Sequence, residues 1–226
     1  AGGVVVPPKT YWKKIQGVLG KYDILLIADE VICGFGRTGK MFGCETFGIK
    51  PDIMTMSKQI TSSYFPFSAF MMTEEVYAPI ADESGRIGVL GHGYTAGAHP
   101  VGAAVALENL KIIEDRDLVA NAAERGAELQ AGLAKFVDHP LVGEARGVGL
   151  IAALEIIAPE GRAEAFAPGK LGAALNAHFL RNGLISRNMM DAMAFCPPLI
   201  ITAEQITDIL TVVERSLDDF AKTTSA

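Results

Sequence analysis

Two short apolar runs, each ending at a charged residue, most constrain how this chain can fold. Residues 23–28 lead into Asp29, and residues 53–56 lead through Ser57 to Lys58. Short apolar runs of this kind suit strands that are buried on both faces of a parallel sheet. Two such strands, joined by a crossover of this length, end at the same rim of the sheet. The sequence therefore predicts that Asp29 and Lys58 lie at one rim.

Helical patterns alternate with the apolar runs. Helices are predicted at residues 11–20, 100–114, 118–137, 171–181 and 203–220, strands at residues 23–28, 53–56, 67–72, 151–157 and 184–186, and a loop at residues 159–168. Thr202 followed by Gln205 is a capping-box pattern at the start of the last helix. Helix and strand in alternation predict the α/β class. Because the amino-acid composition becomes rich in alanine after Asp115, we predict one domain over residues 1–114 and a second over residues 115–226.

The composition indicates a globular protein with a small-molecule partner. Half of the 226 residues are hydrophobic and a fifth are charged, so the chain can bury a substantial core. A formal charge of -6 argues against nucleic acid or an anionic membrane as the main partner, because both require a basic face. No apolar run reaches the ~18 residues of a membrane span and no secretion signal opens the chain, so we expect a cytoplasmic protein. The start without methionine resembles the middle of a domain, and we expect a fragment.

The cysteines and histidines do not form a metal-binding pattern. Cys33, Cys44 and Cys196 are an odd number at spacings that suit neither a disulfide framework nor a zinc cluster, so we expect buried free thiols. His92 and His99 flank a glycine-rich loop, and packing or hydrogen bonding within that loop is the expected role. No metal site is predicted.

Residues 34–39 match the G-x-G-x-x-G spacing of dinucleotide-binding loops. This gives a non-enzymatic alternative, a nucleotide-binding or interaction module that uses Gly34 to Gly39. The fingerprint requires a strand, a glycine turn and a helix whose N-terminus faces pyrophosphate. Here Asp29 and Glu30 precede the glycines, where they would repel phosphate, and residues 40–44 do not resemble a helix start. A flexible loop that shapes a pocket or a subunit contact fits better, and Glu30 would hydrogen-bond near a cofactor or hold this loop.

The acid and the amine at one rim indicate pyridoxal phosphate chemistry. A lysine amine can form a Schiff base with an aldehyde cofactor, while a buried carboxylate keeps the pyridine nitrogen of that cofactor protonated. Taken singly, Asp29 would be a turn residue and Lys58 a solvated surface lysine. Ligands of open α/β sheets bind beyond the carboxyl ends of the strands, which is where the sequence places both residues.

Along its whole length the sequence resembles the class III pyridoxal-phosphate aminotransferases of fold type I. The segments that carry the resemblance are residues 25–31, 34–39, 51–55 with Lys58, 92–95 with 99–100, 146–150 and 183–187. The resemblance implies that residues 1–114 are the later part of the cofactor-binding large domain, with a mostly parallel sheet, and that residues 115–226 are the C-terminal small α+β domain. It also implies a homodimer with shared active sites and an upstream half that holds the phosphate loop.

The resemblance assigns five site residues. Lys58 would be the Schiff-base lysine and proton carrier, and Asp29 the partner of the pyridine nitrogen. Val31 would pack against the cofactor ring, and Thr95 would bind the cofactor phosphate, usually that of the neighbouring subunit. Arg187 resembles the mobile arginine that pairs with a substrate carboxylate.

The implied activity is ping-pong transfer of an amino group from an amine or ω-amino acid to pyruvate. Gln59 follows Lys58 where the family usually has glycine, and Ser63 and Ser68 also replace small glycines. These departures favour the subset that acts on amines and ω-amino acids with pyruvate. The alternative within the same fold is an aminomutase, which would keep Lys58 and Asp29 but return the amino group to one substrate.

Overall fold

The computed structural model describes residues 2–159 and 167–224. The chain divides into two compact units, one of residues Pro7–Val119 and one of residues Ala1–Val6 with Ala120–Ala226. The expected loop at residues 159–168 lies largely outside the described residues. The assignment of residues 1–114 and 115–226 to a cofactor domain and a small domain stays a prediction.

The first unit contains a small mixed sheet with helices before and after it. Its elements are α1 (Tyr11–Tyr22), β1 (Ile27–Asp29), α2 (Gly43–Phe47), β2 (Ile53–Met56), β3 (Ala69–Met72), α3 (Glu74–Ile87) and α4 (Pro100–Asp115). The strand order is β1-β2-β3. Strands β1 and β2 pair in parallel, as predicted, with Asp29 opposite Thr55, whereas β2 and β3 are antiparallel.

Strand β1 is shorter and more exposed than the sequence predicts. The carboxylate of Asp52 accepts a hydrogen bond from the backbone N–H of Leu26 at 2.7 Å, and the N–H of Asp52 donates to the carbonyl of Leu26 at 2.9 Å. The regular ladder therefore begins only at Ile27. Ile27 is 60% exposed and Leu25 is 57% exposed, because β1 is the edge of this three-stranded sheet. The expectation of burial on both faces is wrong for the described chain.

The second unit is an antiparallel sheet with helices. Its elements are α5 (Leu118–Ala134, which starts at the end of the first unit), β4 (Val142–Val148), β5 (Ile151–Ile156), α6 (Lys170–Arg181), β6 (Arg187–Met189), β7 (Ala192–Phe195) and α7 (Ala203–Thr224). The strand order is β4-β5-β7-β6. The capping box at the start of α7 is confirmed, because Gln205 N–H donates to Thr202 Oγ1 and Thr202 N–H donates to Gln205 Oε1.

Four of the helices and strands are not predicted from the sequence, and one strand is displaced. The sequence pattern misses α2, α3, β4 and β7, and it places a strand at residues 184–186 where the structure has β6 at Arg187–Met189. Within β6 and β7, Arg187 pairs with Ala194 and Met189 pairs with Ala192, so the hairpin turns at Met190 and Asp191. Hydrogen bonds to β7, the next strand along the chain, decide where β6 begins, and the apolarity of residues 184–186 does not report them.

The core of the second unit is built from aliphatic and aromatic side chains of both the helices and the sheet. The fully buried ones include Leu129, Leu133, Leu150, Leu154, Leu175, Phe179, Met193, Val213 and Leu217. Helix α6 contacts both α7 and the β6–β7 hairpin. Burial of such side chains contributes about 1.5–3 kcal/mol each relative to exposure, so this sheet and its helices form a packed body.

A glycine on α5 allows the closest approach of that helix to the β4–β5 turn. A Cβ atom at Gly126 would lie 2.4 Å from the carbonyl carbon of Gly149 and 2.5 Å from its oxygen. Backbone cannot move aside as a flexible side chain can. We therefore expect Gly126→Ala to destabilise the full-length polypeptide by about 1–3 kcal/mol or more.

Urea unfolding of the full-length polypeptide measures this effect, and Gly17→Ala is the matched control. Gly17 is an exposed glycine in the middle of α1, and a Cβ atom there would meet no neighbour within 4 Å. In that position alanine favours the helix by about 0.5–1 kcal/mol. Equal unfolding midpoints for the two variants would contradict the close packing of α5 on the turn.

Candidate active site

Lys58 occupies a strained turn directly beyond β2. It opens a single 3₁₀ turn, Lys58–Ile60, and its φ is 47°, in the left-handed region. Ser62 and Ser63 follow with φ values of 49° and 65°. Each such residue costs on the order of 1–3 kcal/mol and persists only where its surroundings hold it, and such residues cluster at functional sites. The backbone strain lies in the turn that carries Lys58 and not in strand β2, so the turn is the candidate for a functional role.

Asp29 ends β1 at the same rim. Its Oδ1 accepts hydrogen bonds from the backbone N–H of Val31 at 3.1 Å and from Thr55 Oγ1 at 3.4 Å. Thr55 is the register partner of Asp29 and precedes Lys58 by three residues on the parallel strand. Both hydrogen bonds from described residues use the same carboxylate oxygen. The parallel pair thus brings Asp29, Val31 and the Lys58 turn to one edge of the sheet.

The rim is open to solvent. Lys58 and Asp29 are both exposed, and Val31 is half-buried. A buried carboxylate and a buried amine were expected from the sequence, and both expectations are wrong for the described residues. Any burial of these two groups has to come from atoms other than those described.

Glu30, next to Asp29, is buried and binds the loop that follows β1. Its Oε2 accepts a hydrogen bond from Gly43 N–H at 2.8 Å, and its Oε1 accepts one from Cys44 N–H at 2.7 Å, so one carboxylate satisfies two free amides at the start of α2. Its own N–H donates to the carbonyl of Thr55 at 2.9 Å. The sequence leaves two roles open for Glu30, a hydrogen bond near a cofactor or stabilisation of the loop. These hydrogen bonds agree with stabilisation of the loop.

The environment of Glu30 also makes Cys44 unreactive. Burial, followed by the hydrogen bond to Glu30 and the charge of its carboxylate, raises the pKa of the Cys44 thiol from 9.0 to about 12. Thiols react as thiolates, so this cysteine is inert at neutral pH. None of the three cysteines forms a disulfide bond within the described residues; only Cys44 is buried, whereas Cys33 is half-buried and Cys196 is exposed, so the expectation of burial is met by Cys44 alone.

Replacement of Glu30 tests this clamp. In Glu30→Gln, an amide N–H₂ replaces one acceptor oxygen and meets a backbone N–H, so one buried donor loses its partner. We expect a loss of about 1–3 kcal/mol in the free energy of unfolding of the full-length polypeptide. Urea unfolding measures it. Glu45→Gln is the matched control, because exposed Glu45 accepts a bond from Phe42 N–H at the same helix and Gln keeps one acceptor oxygen. A similar loss in both variants would rule out a special role for Glu30.

The glycine loop does not have the structure of a nucleotide-binding loop. The N–H groups of Gly34, Gly36 and Gly39 donate to the carbonyls of Glu30, Met41 and Gly36 respectively. A helix does begin at Gly43, contrary to the sequence prediction, but Glu30 already binds its first amides. Because these donors are occupied within the protein, the loop offers few amides to a pyrophosphate. It is also closely bonded and largely buried, so the expectation of flexibility is not met.

Thr95 lies in the exposed segment between α3 and α4. Its neighbours form a turn in which Gly97 N–H donates to the carbonyl of Tyr94 at 2.9 Å. His99 caps α4, since its Nδ1 accepts a bond from Val101 N–H, and its ring packs on Phe65. His99 therefore has the loop role that the sequence indicated. Within residues 2–159 and 167–224, no three His, Cys, Asp or Glu side chains form a possible metal site.

Arg187 belongs to the second unit, where it is the first residue of β6. It is exposed and stands in register with Ala194 of β7. Of the nearby methionines, Met193 is fully buried in the core and Met190 is exposed at the hairpin turn. Met193 is therefore core filler, as its residue type favoured. The helices that the structure describes include none long and apolar enough to cross a membrane.

Asn109 is a candidate functional residue that the structure reveals and the sequence motifs do not indicate. This residue of α4 is half-buried and contacts the turn that carries Lys58. Its Nδ2 donates to the carbonyls of Gln59 at 2.7 Å and Ile60 at 3.2 Å, and its Oδ1 accepts from Ser62 Oγ at 2.6 Å. A signal was present in the sequence: Asn109 interrupts an otherwise small and apolar helix face formed by Gly102, Ala106 and Ile113.

Comparison with known proteins identifies the family to which the chain belongs. The profile of the family described as "Aminotransferase class-III" matches residues 1–217. The chain belongs to this family. Its fold is type I of the pyridoxal-phosphate-dependent transferases, as predicted, although only one of the two described strand pairs in the first unit is parallel.

Three similar proteins illustrate the relationship. Putrescine–pyruvate aminotransferase of Pseudomonas aeruginosa is 45% identical over 98% of this chain and 48% of its own length. A solved structure described as "Transaminase with L-ala" is 59% identical, with a TM-score of 0.95 over 98% of this chain and 52% of that one. The omega transaminase of Pseudomonas jessenii in complex with PMP is 54% identical, with a TM-score of 0.95 over 99% of this chain and 49% of that one. The chain spans about half the length of the relatives it matches.

Proposed function

We propose that the full-length polypeptide is a pyridoxal-phosphate-dependent transaminase that moves an amino group from an amine or ω-amino acid to pyruvate. The observation that carries the proposal is the parallel pairing of β1 and β2, which places Asp29 and the strained Lys58 turn at one rim. Similarity to a putrescine–pyruvate aminotransferase and to a transaminase solved with L-ala supports pyruvate as the acceptor.

The residues at the rim fit pyridoxal phosphate by their chemistry. Lys58 supplies the amine for the aldehyde, Asp29 an anionic partner for the pyridine nitrogen, and Val31 an apolar surface for the ring. Thr95 supplies a hydroxyl for the phosphate, of its own or a neighbouring subunit. When bound, the cofactor supplies an electron sink that stabilises negative charge at the substrate carbon.

Side chains of the protein itself would carry out the proton transfer and stabilise the protonated pyridine nitrogen. The amine of Lys58 would remove a proton from the substrate carbon and redeliver it, which requires the neutral form of the amine. Asp29 holds the proton on the pyridine nitrogen by charge. Two of its hydrogen bonds, from Val31 N–H and Thr55 Oγ1, fix the orientation of its carboxylate.

The exposure of apolar residues at β1 and directly before it supports a large partner for the first unit. Ile24, Leu25 and Ile27 are all more than half exposed around β1, and the chain spans about half the length of its relatives. An upstream half of the same polypeptide, which completes the large domain begun in residues 1–114, would cover them. Residues 115–226 would be the small domain. A homodimer with shared sites remains part of the proposal.

The deciding experiment uses the full-length polypeptide. Borohydride reduction in the presence of pyridoxal phosphate should attach the cofactor to the peptide that contains Lys58, as read by mass spectrometry. A panel of amine donors with pyruvate should then yield alanine. An aminomutase would convert its substrate without pyruvate and would form no alanine. Binding of ATP or NAD without cofactor attachment would instead support the glycine-loop module and overturn the proposal.

Arg187 should contribute to the binding of pyruvate and not to the binding of a neutral amine. A guanidinium can bind a keto acid carboxylate through two parallel hydrogen bonds, and charge-assisted bonds of this kind contribute about 1.5–3 kcal/mol. We expect Arg187→Ala to raise the KM for pyruvate by about 10- to 100-fold, with little change for a neutral amine, because such an amine has no carboxylate to bind.

Rates of the two half-reactions, followed separately by cofactor absorbance, measure the effect of Arg187→Ala. Arg181→Ala is the control, because Arg181 is an exposed arginine at the end of α6 in the same unit. Arg187→Lys should recover only part of the pyruvate affinity, since lysine lacks the planar pair of donors. Equal effects on amine and pyruvate would contradict the role of Arg187.

A further inference from the structure

We infer that Asn109 is a positioning residue that holds the Lys58 turn in the conformation from which the lysine amine can react. The inference rests on the proposed function, in which Lys58 binds pyridoxal phosphate. It concerns a residue on a separate helix, α4, that does not itself contact the reacting atoms.

Asn109 binds both backbone carbonyls that directly follow Lys58. Its Nδ2 donates to Gln59 O at 2.7 Å and to Ile60 O at 3.2 Å. Its Oδ1 accepts from Ser62 Oγ at 2.6 Å, and Ser62 Oγ also accepts from Gln59 Nε2 at 2.7 Å. One amide group therefore binds three groups of the turn, the carbonyls of Gln59 and Ile60 and the hydroxyl of Ser62.

The turn needs such a support because its backbone is strained. Lys58, Ser62 and Ser63 all have positive φ, and none of them is glycine. Conformations of this kind persist only where the surrounding structure holds them. On the other side of Lys58, Ser57 Oγ donates to the carbonyl of Phe67 at 2.9 Å. Lys58 is thus fixed from both directions, by Ser57 before it and by Asn109 after it.

Helix α4 is itself firmly placed against this region. Gly102, Ala106, Asn109 and Ile113 lie on one face at helical spacing, and all but Asn109 are buried and lack polar side-chain atoms. A Cβ at Gly102 would lie 2.6 Å from a ring carbon of Phe67, so the helix approaches the segment after Lys58 closely. This close packing holds α4 against the segment after Lys58, so Asn109 offers its amide from a defined position.

The test measures covalent capture of pyridoxal phosphate by Lys58 in the full-length apoenzyme. The rate of borohydride-stable labelling of the Lys58 peptide is recorded at saturating pyridoxal phosphate, so that weaker initial binding does not enter. Asn109→Asp keeps the size of the side chain and the acceptor for Ser62, but it removes both amide donors. We expect labelling to be about 10- to 100-fold slower, since a displacement of about 1 Å of a reacting group has effects of this size.

Asn121→Asp is the matched control. Asn121 of α5, in the second unit, also donates its Nδ2 to two carbonyls, those of Leu199 at 2.6 Å and Ile201 at 3.0 Å. The same substitution there removes the same kind of bonds without touching the Lys58 turn. A purely structural role for Asn109 predicts that both variants lose stability to urea and that neither changes the labelling rate.

Each outcome decides the question. Slow labelling in Asn109→Asp, with a normal rate in Asn121→Asp, supports the inference. Normal rates in both variants would overturn it and leave the proposed function standing. Absence of labelling in the unaltered enzyme would overturn the proposed function, and this inference with it. Should Asn109→Asp not fold, Asn109→Ala, which adds no charge, is compared with Asn121→Ala by the same measurement.

Discussion

Replacement of Lys58 by alanine is expected to reduce amino transfer to pyruvate by at least about 10³-fold in the full-length enzyme. Under the proposed function, the variant loses both the amine that binds the cofactor and the base that moves the proton, and general acid–base catalysis alone contributes about 10²- to 10⁴-fold. Alanine formation from pyruvate and an amine measures the activity. Borohydride should no longer attach pyridoxal phosphate to the peptide that spans residue 58.

Two control variants separate this effect from general damage. Lys58→Arg keeps a positive charge but supplies no neutral amine, so it should be as inactive as the alanine variant. Lys40→Ala removes an exposed lysine from the loop after β1 and should retain normal activity. Substantial activity in Lys58→Ala, or borohydride labelling at another lysine, would show that the site has been assigned to the wrong residue.

Asp29→Asn is expected to lower the rate by about 10²- to 10³-fold, the range seen when a single preorganised electrostatic group is removed from an active site. Asparagine is nearly the same size, and its side-chain oxygen can still accept the bonds from Val31 N–H and Thr55 Oγ1. What asparagine lacks is the negative charge that, under the proposed function, keeps a proton on the pyridine nitrogen. The loss should therefore appear in the rate of the chemical step more than in stability.

Single-turnover rates with one amine donor, together with urea unfolding, measure both quantities for Asp29→Asn. Asp23→Asn is the control, because exposed Asp23 ends α1 with a φ of 53°, a conformation that asparagine tolerates equally well. A nitrogen-15 spectrum of labelled cofactor reports the protonation of its ring directly. If the ring nitrogen stays protonated in Asp29→Asn at normal rates, Asp29 is not its partner.

Much of the fold was accessible from local patterns. The helices that begin at Tyr11, Pro100 and Ala203 show strong helical periodicity, a first-turn proline or a capping box, and all three are confirmed. Strand β2 was predicted at its observed bounds, and the parallel pairing of β1 with β2 is confirmed. These features depend on residues that are close in the chain, or on the general rule that such strands are joined by right-handed crossovers.

Hydrogen-bond partners that local composition does not reveal set the strand bounds that the patterns missed. The start of β6 depends on hydrogen bonds to β7, and the late start of β1 depends on the carboxylate of Asp52. A one-residue shift in a strand changes which face each side chain occupies, yet nothing in the local composition records the partner that sets the register.

The residue types and their order were enough to predict the α/β class and to select Asp29 and Lys58, because strand ends and chemically suitable side chains are visible in the chain. The three-dimensional arrangement alone revealed that Glu30 clamps the start of α2 and that Asn109 holds the turn after Lys58. Those hydrogen bonds join residues 13 to 50 positions apart, and only folding brings such groups within the ~3 Å that a hydrogen bond requires.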